Sequence, residues 1–130
     1  MNAAVTANTY KNQQILTASP EELTLMLYNG AVRFANESIK ALEKGDIEHS
    51  NAANQRVQDI VREFMSTLDM GYEISKNLFA LYEYIDYRLI QANIHKDIVQ
   101  LTEARDLLVE LRDTWIGAMK QTQLARAVGR

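Results

Sequence analysis

The sequence contains no cysteine, one proline and five glycines in 130 residues. The missing cysteines exclude disulfides, thiolate nucleophiles, zinc–thiolate sites and iron–sulfur clusters. Scarce proline and glycine disfavour a turn-rich β protein and favour long helices. No stretch approaches the roughly 18 consecutive apolar residues that a membrane span needs, and the N-terminus lacks the basic and apolar regions of a secretory signal. We therefore expect an all-α chain in the cytoplasm.

The charge balance is also unremarkable. Fourteen basic and 17 acidic side chains give a net charge of −3, and 47% of the residues are hydrophobic. A mildly acidic chain has no overall attraction to nucleic acid or anionic lipid. The composition is that of one globular domain without a nucleic-acid partner and without membrane insertion.

Capping signals mark where the helices begin and end. Ser19 suits an N-cap, Pro20 suits the first helical position, and Glu22 completes a capping box. Gly45 predicts a left-handed stop for this first helix. These and similar signals, with the spacing of apolar residues, predict four helices over about 20–44, 46–68, 74–93 and 97–120.

Four helices joined by short loops imply an antiparallel, up-and-down four-helix bundle. The residues before the bundle are polar and unpatterned, and the last residues are expected to fray. The predicted organisation is a flexible N-terminal segment over 1–18, the bundle over 19–123 and a frayed C-terminal tail over 124–130.

The first predicted helix carries more apolar residues than one core face needs. One stripe, predicted to face the core, consists of Leu23, Leu27, Gly30, Ala31, Phe34 and Ala41. A second stripe consists of Leu25, Tyr28, Val32, Ala35, Ile39 and Leu42. Either this helix is central and touches two neighbours, or the second stripe is an exposed groove for another chain's amphipathic helix.

The third predicted helix shows a weaker version of the same excess. Its core stripe is predicted to be Ile74, Leu78, Leu81, Ile85, Leu89 and Ala92, with further apolar residues at Phe79, Tyr87, Ile90 and Ile94. The N-terminal segment is a possible lid over such a groove, with Tyr10, Ile15 and Leu16 as its apolar contacts; the alternative is a disordered tail.

Catalytic and metal-binding patterns are missing from the sequence. Neither His49 nor His95 follows a glutamate by three residues, as a di-iron bundle requires. No phosphate-binding glycine loop and no nucleophile motif occur. We therefore predict no enzyme activity, no catalytic residue, no cofactor and no metal.

Four blocks of the sequence carry a resemblance to a known family. They are YKNQQILTASPEELTLMLYNG over 10–30, NLFALYEY over 77–84, Arg88-Leu89 with Ala92-Asn93, and LRDTW over 111–115. In order, spacing and length this pattern resembles the flagellar secretion chaperone family, FliS. Two departures are Asn29, where many members have aspartate, and Gly117, where a helix former is common.

The resemblance implies a cytoplasmic helical chaperone that binds the C-terminal segment of flagellin and prevents its premature polymerisation. It also implies delivery of this cargo to the flagellar type III export gate and movement of the N-terminal segment when cargo binds. Other flagellar regulators are possible further partners. The residues predicted to contact the partner or to form the lid are Tyr10, Ile15, Leu16, Leu25, Tyr28, Val32, Ile39, Phe79, Tyr87 and Ile90.

Two other functions compete with this hypothesis. One is a homo-oligomeric structural or adaptor bundle without flagellin cargo, in which the second stripe meets its own copy, for example in a homodimer. The other is a bundle that binds a metal or a small molecule. The native mass with and without flagellin distinguishes the first alternative, and metal analysis tests the second.

Overall fold

A computed structural model describes the backbone of residues 3–128 and the side chains of residues 6–122 and 127–128. All regular secondary structure in these residues is α-helical, which confirms the all-α class. The five helices are α1 (Ala3–Thr17), α2 (Pro20–Glu43), α3 (Ile47–Thr67), α4 (Glu73–His95) and α5 (Ile98–Val128).

The predicted capping signals are present at the helix ends. The Ser19 side chain accepts a hydrogen bond from the Glu22 backbone N–H at 3.2 Å, and Asp46 does the same for His49 at 3.2 Å. Asp97 accepts from the backbone N–H of Val99 at 2.9 Å. Each bond satisfies a donor that the helix itself leaves unpaired. Gly45, at φ 79°, ends α2 in the left-handed conformation as predicted.

Helices α2 to α5 enclose one core. Helix α2 packs against α3 and α5, and α4 packs against the same two helices from the other side. Ile85, Leu89 and Leu108 are fully buried between them. A pair of short polar side chains also lies inside: the Ser38 Oγ donates to the Ser50 carbonyl at 2.8 Å, and the Ser50 Oγ donates to the Ser38 carbonyl at 2.9 Å.

The N-terminal segment forms a fifth helix where none was predicted. Helix α1 covers most of the segment 1–18, and all of its described side chains, from Thr6 to Thr17, are exposed. Alanine, lysine, glutamine and leucine in this segment favour a helix by propensity alone. Because they form no apolar stripe, the spacing of apolar residues gave no sign of α1.

The C-terminal helix is longer than predicted. It passes Gly117 and continues to Val128, so most of the predicted tail over 124–130 belongs to α5 and its last two residues lie outside the described part of the chain. No helix in the described residues is long and apolar enough to cross a membrane.

The core face of α2 is mostly the second stripe rather than the first. Tyr28, Val32 and Ile39 are buried, whereas Leu23 and Leu27 of the predicted core stripe are 38% and 37% exposed. The prediction for the first stripe was therefore wrong at these two leucines. The helix is central, and its second stripe packs against its neighbours.

A smaller correction applies to α4. Ile74, placed on the core stripe by its spacing, is 65% exposed, and Tyr82, which was not on that stripe, is buried. The buried row runs through Ser75, Tyr82, Ile85, Leu89 and Ala92, at spacings of three, four and seven residues. The small, polar Ser75 occupies the core position that the hydrophobic pattern assigned to its neighbour.

Candidate partner-binding surfaces

An open groove separates α1 from the outer face of α2. It encloses about 480 Å³ between Ile15 and Gln14 of α1 and Met26, Gly30 and Arg33 of α2. We call it the α1–α2 groove. Ile15 is 52% exposed and Met26 is 36% exposed, so apolar surface on both walls remains in contact with water. Such surface favours association with an apolar partner.

Apolar exposure continues from this groove along the two helices. Tyr10 is 62% and Leu16 is 84% exposed on α1, and Leu23 and Leu27 lie partly open on α2. The sequence assigned the two leucines to the core and left Met26 outside both stripes. The exposed fractions of the α2 side chains in the structure show that these three residues share an accessible surface.

Positive charge borders the same face of α2. The Arg33 guanidinium lies 4.9 Å and the Arg56 guanidinium 5.4 Å from the centre of the Phe34 ring. Lys11 of α1 lines the groove together with Arg33. Guanidinium groups over an aromatic ring gain a cation–π attraction while still presenting their charge to the solvent.

The residues predicted to contact a partner fall into three classes. Tyr10, Ile15, Leu16 and Tyr87 are exposed; Leu25, Phe79 and Ile90 are partly buried; Tyr28, Val32 and Ile39 are buried. The first class is available to a partner, and the second is available in part. Binding through the third class remains a prediction that requires these residues to leave the core.

The deepest aromatic group of the bundle joins α2, α3 and α4. The Tyr28 and Tyr82 hydroxyl oxygens are 2.7 Å apart, and the ring of Phe64 lies 4.5 Å from that of Tyr28 and 5.5 Å from that of Tyr82. Burial raises the pKa of both tyrosines, and for Tyr28 the hydrogen bond to Tyr82 raises the pKa further. Both hydroxyls therefore keep their protons at neutral pH.

Because folding raises these two pKa values above the ordinary 10.0, the folded state holds protons that the unfolded chain releases. The corresponding stability is complete below pH 10 and is lost as the pH rises above it. We expect urea unfolding between about pH 8 and pH 11 to show a steeper alkaline loss for the wild type than for Tyr28→Phe/Tyr82→Phe. Equal slopes would contradict the raised pKa values.

Groups of three or more histidine or acidic residues that could hold a metal ion do not occur among the described residues. The α1–α2 groove and the surface beside it contain apolar and cationic groups. That chemistry is suited to binding a polypeptide by burial and charge.

Comparison with known proteins identifies the family to which the chain belongs. The model of the family described as "Flagellar protein FliS" matches residues 1–122. The chain belongs to the FliS family. A FliS relative from Bacillus subtilis (strain 168) is 37% identical over 117 residues, covering 90% of this chain and 88% of its own. One from Salmonella typhimurium is 33% identical over 104 residues, covering 78% of this chain and 77% of its own.

Both FliS relatives are named flagellar secretion chaperone. The FliS family is thus one of flagellar export chaperones, not of enzymes, which confirms the resemblance drawn from the four sequence blocks. A solved structure titled "Crystal structure of flagellar chaperone from bacteria" has the same helical fold, with a TM-score of 0.72 at 16% identity. The match covers 89% of this chain and 98% of that one.

Proposed function

We propose that this chain is a cytoplasmic export chaperone that binds the C-terminal helical segment of flagellin. By holding that segment it prevents premature polymerisation, and it helps to deliver the cargo to the flagellar type III export apparatus. Membership of the FliS family supports the export role. The exposed apolar surface along the α1–α2 groove is the observation that supports a helical cargo segment with an apolar face.

The groove suits one face of an amphipathic helix. Ile15 and Met26 supply apolar contacts at its walls, and Lys11 and Arg33 supply cations. The partly exposed Leu27 continues the apolar surface of α2 beside the groove. A disordered cargo segment that folds on this surface loses conformational entropy and gains burial of apolar area. We infer that acidic side chains beside the apolar face of the bound segment would add salt-dependent attraction to these cations.

Helix α1 would act as a lid for the same surface. Its described side chains are all exposed, so its attachment to α2 buries little apolar area. Because α1 is held so weakly, it can shift away from α2 at low cost to admit a cargo helix beside Met26, and Ile15 then contacts that helix from the opposite wall. The bundle that remains would be the antiparallel, up-and-down arrangement of α2 to α5, since short loops join them in sequence.

Calorimetric titration with a peptide covering the C-terminal helical segment of flagellin tests this function. We expect saturable one-to-one binding with a large negative heat-capacity change, because apolar surface is buried as the peptide folds. Ile15→Asp is expected to weaken binding at least about tenfold while leaving the melting temperature nearly unchanged. Gln13→Asp makes the same charge change at an exposed position of α1 outside the groove lining and serves as the control.

Failure of a monomeric flagellin peptide to bind would refute the flagellin proposal. Native mass with and without flagellin separately tests the competing function. A stable dimer whose mass does not change with flagellin would favour the homo-oligomeric adaptor. A one-to-one complex would favour the chaperone and permit the next step, a test of binding between the loaded chaperone and the export gate.

A further inference from the structure

A second cavity lies at one end of the bundle, where α2 and α4 begin and α3 ends. It encloses about 400 Å³. Its walls are mostly apolar and include Leu68, Leu78, Leu111 and Trp115, and the polar residues Thr24, Thr67, Asp69 and Thr114 also line it. We call it the end cavity. The Trp115 indole N–H donates to the Glu21 carbonyl at 3.0 Å, which fixes one wall to the first turn of α2. The end cavity does not share a lining residue with the α1–α2 groove.

The end cavity reaches the buried aromatic group. Tyr28, Phe64 and Tyr82 all line it, although the two tyrosines are only 5% and 4% exposed. Each neutral hydroxyl carries one proton and can also accept a hydrogen bond. The single bond between the two hydroxyls uses one of the two protons. Among the described residues no other acceptor is bonded to this pair, so one donor remains available.

The dimensions of the end cavity fit an aromatic ring. An apolar cavity of about 150 Å³ inside a protein is large enough to bind benzene, and ligand sites commonly enclose about 300–1,000 Å³. At about 400 Å³ the end cavity has room for a substituted ring. A buried donor on residues that line a mostly apolar volume favours a ligand that offers an acceptor, because an unmade hydrogen bond is costly in such surroundings.

We propose that the end cavity binds an aromatic-sized apolar group that carries one hydrogen-bond acceptor. The apolar walls hold the ring by burial, and the spare hydroxyl proton of the Tyr28–Tyr82 pair donates to the acceptor. The group is either a free small molecule or a side chain of a bound polypeptide, since both present the same chemistry. The site is separate from the α1–α2 groove and does not depend on it.

Acetophenone and ethylbenzene are suitable probes because they share a ring and differ in the carbonyl. We expect both to shift the NMR signals of the end-cavity residues of the full chain saturably. In Tyr28→Phe/Tyr82→Phe the ratio of acetophenone to ethylbenzene affinity is expected to fall about fivefold, the effect of losing one net hydrogen bond. Folding should survive, because both members of the pair are replaced by rings of the same shape.

Thr114→Trp is expected to remove binding of both probes, since residue 114 is exposed on α5 and lines the end cavity. Thr122→Trp makes the same change further along α5, outside the lining, and should leave binding intact. No saturable shift in the wild type, an unchanged affinity ratio in the double variant, or undiminished binding to Thr114→Trp would each overturn the proposal.

A third titration distinguishes the two sources of the ligand. The wild type is first saturated with the flagellin C-terminal peptide and then titrated with acetophenone. Weaker acetophenone binding would support a site that receives a side chain of the peptide. Unchanged binding would support a site for a separate small molecule. If the flagellin peptide itself does not bind, the probes still report on the end cavity, so the two proposals fail independently.

Discussion

Val32→Asp is expected to lower the free energy of unfolding by at least about 3 kcal/mol, a large part of the roughly 5–15 kcal/mol that stabilises a typical domain. Val32 is 7% exposed and belongs to the core cluster on α2. A carboxylate there loses its hydration without gaining a partner, and an uncompensated buried charge is among the costliest single changes. Circular dichroism during urea unfolding measures the effect.

Leu27→Asp is the matched control for this prediction. It lies on the same helix, introduces the same side chain, and replaces a residue that is 37% exposed. We expect a loss of stability of about 1 kcal/mol or less, because the new carboxylate stays in water. Binding of the flagellin peptide should nevertheless weaken, since the charge lies on the face of α2 proposed to receive it.

The opposite pattern would revise the assignment of the two stripes. If Val32→Asp folded as stably as the wild type and lost only flagellin binding, the second stripe would be a binding face. If Leu27→Asp unfolded the protein, the first stripe would belong to the core.

The boundaries between α2, α3, α4 and α5 were predictable because most of them depend on local chemistry. Ser19 with Glu22, Gly45, Asp46 and Asp97 each mark a helix end through bonds or angles that involve residues no more than three positions apart. No knowledge of the neighbouring helices is needed to recognise them. The start of α4 shows the limit: its N-cap residue, Tyr72, makes no side-chain capping bond, so the sequence gave only an approximate start.

The core face of α2 was not predictable from apolar spacing alone. Its buried face includes Ser38 and the small residues Ala31 and Ala35 as well as Tyr28 and Val32. A hydrophobic pattern gives serine no weight and alanine little, so the larger leucines at the start of the helix dominated the prediction. Burial of Ser38 is satisfied only through its partner on α3, a contact that spacing within one helix does not reveal.

The same difficulty affects α3. Asn54 is fully buried, donates to the Leu89 carbonyl of α4 at 3.0 Å and accepts from the Gln58 amide at 2.8 Å. Asn54 and Gln58 occupy the core because their hydrogen bonds are satisfied there: Asn54 bonds to α4, and Gln58 bonds to Asn54 within α3. From the sequence they are indistinguishable from polar residues on a solvated face.

The candidate site was predictable only in part for a related reason. Tyr10, Ile15 and Leu16 stand out in a polar segment, and they are exposed as a lid or contact residue must be. The opposing wall could not be identified, because it depends on which stripe of α2 the other helices cover. Membership of the FliS family indicates an export chaperone but does not identify the side of α2 that remains open.

Ile85→Ala is expected to lower the free energy of unfolding by about 2–5 kcal/mol, the range for removing a large aliphatic side chain from a packed core. Ile85 is fully buried at the centre of α4. Ile74 was predicted on the same stripe but is 65% exposed, so Ile74→Ala should change stability by no more than about 0.5 kcal/mol. Urea unfolding of both variants measures the difference. Equal losses would mean that the packed face of α4 includes Ile74, as the spacing of apolar residues predicts; a large loss for Ile85 alone means that the face runs through Ser75 and Tyr82.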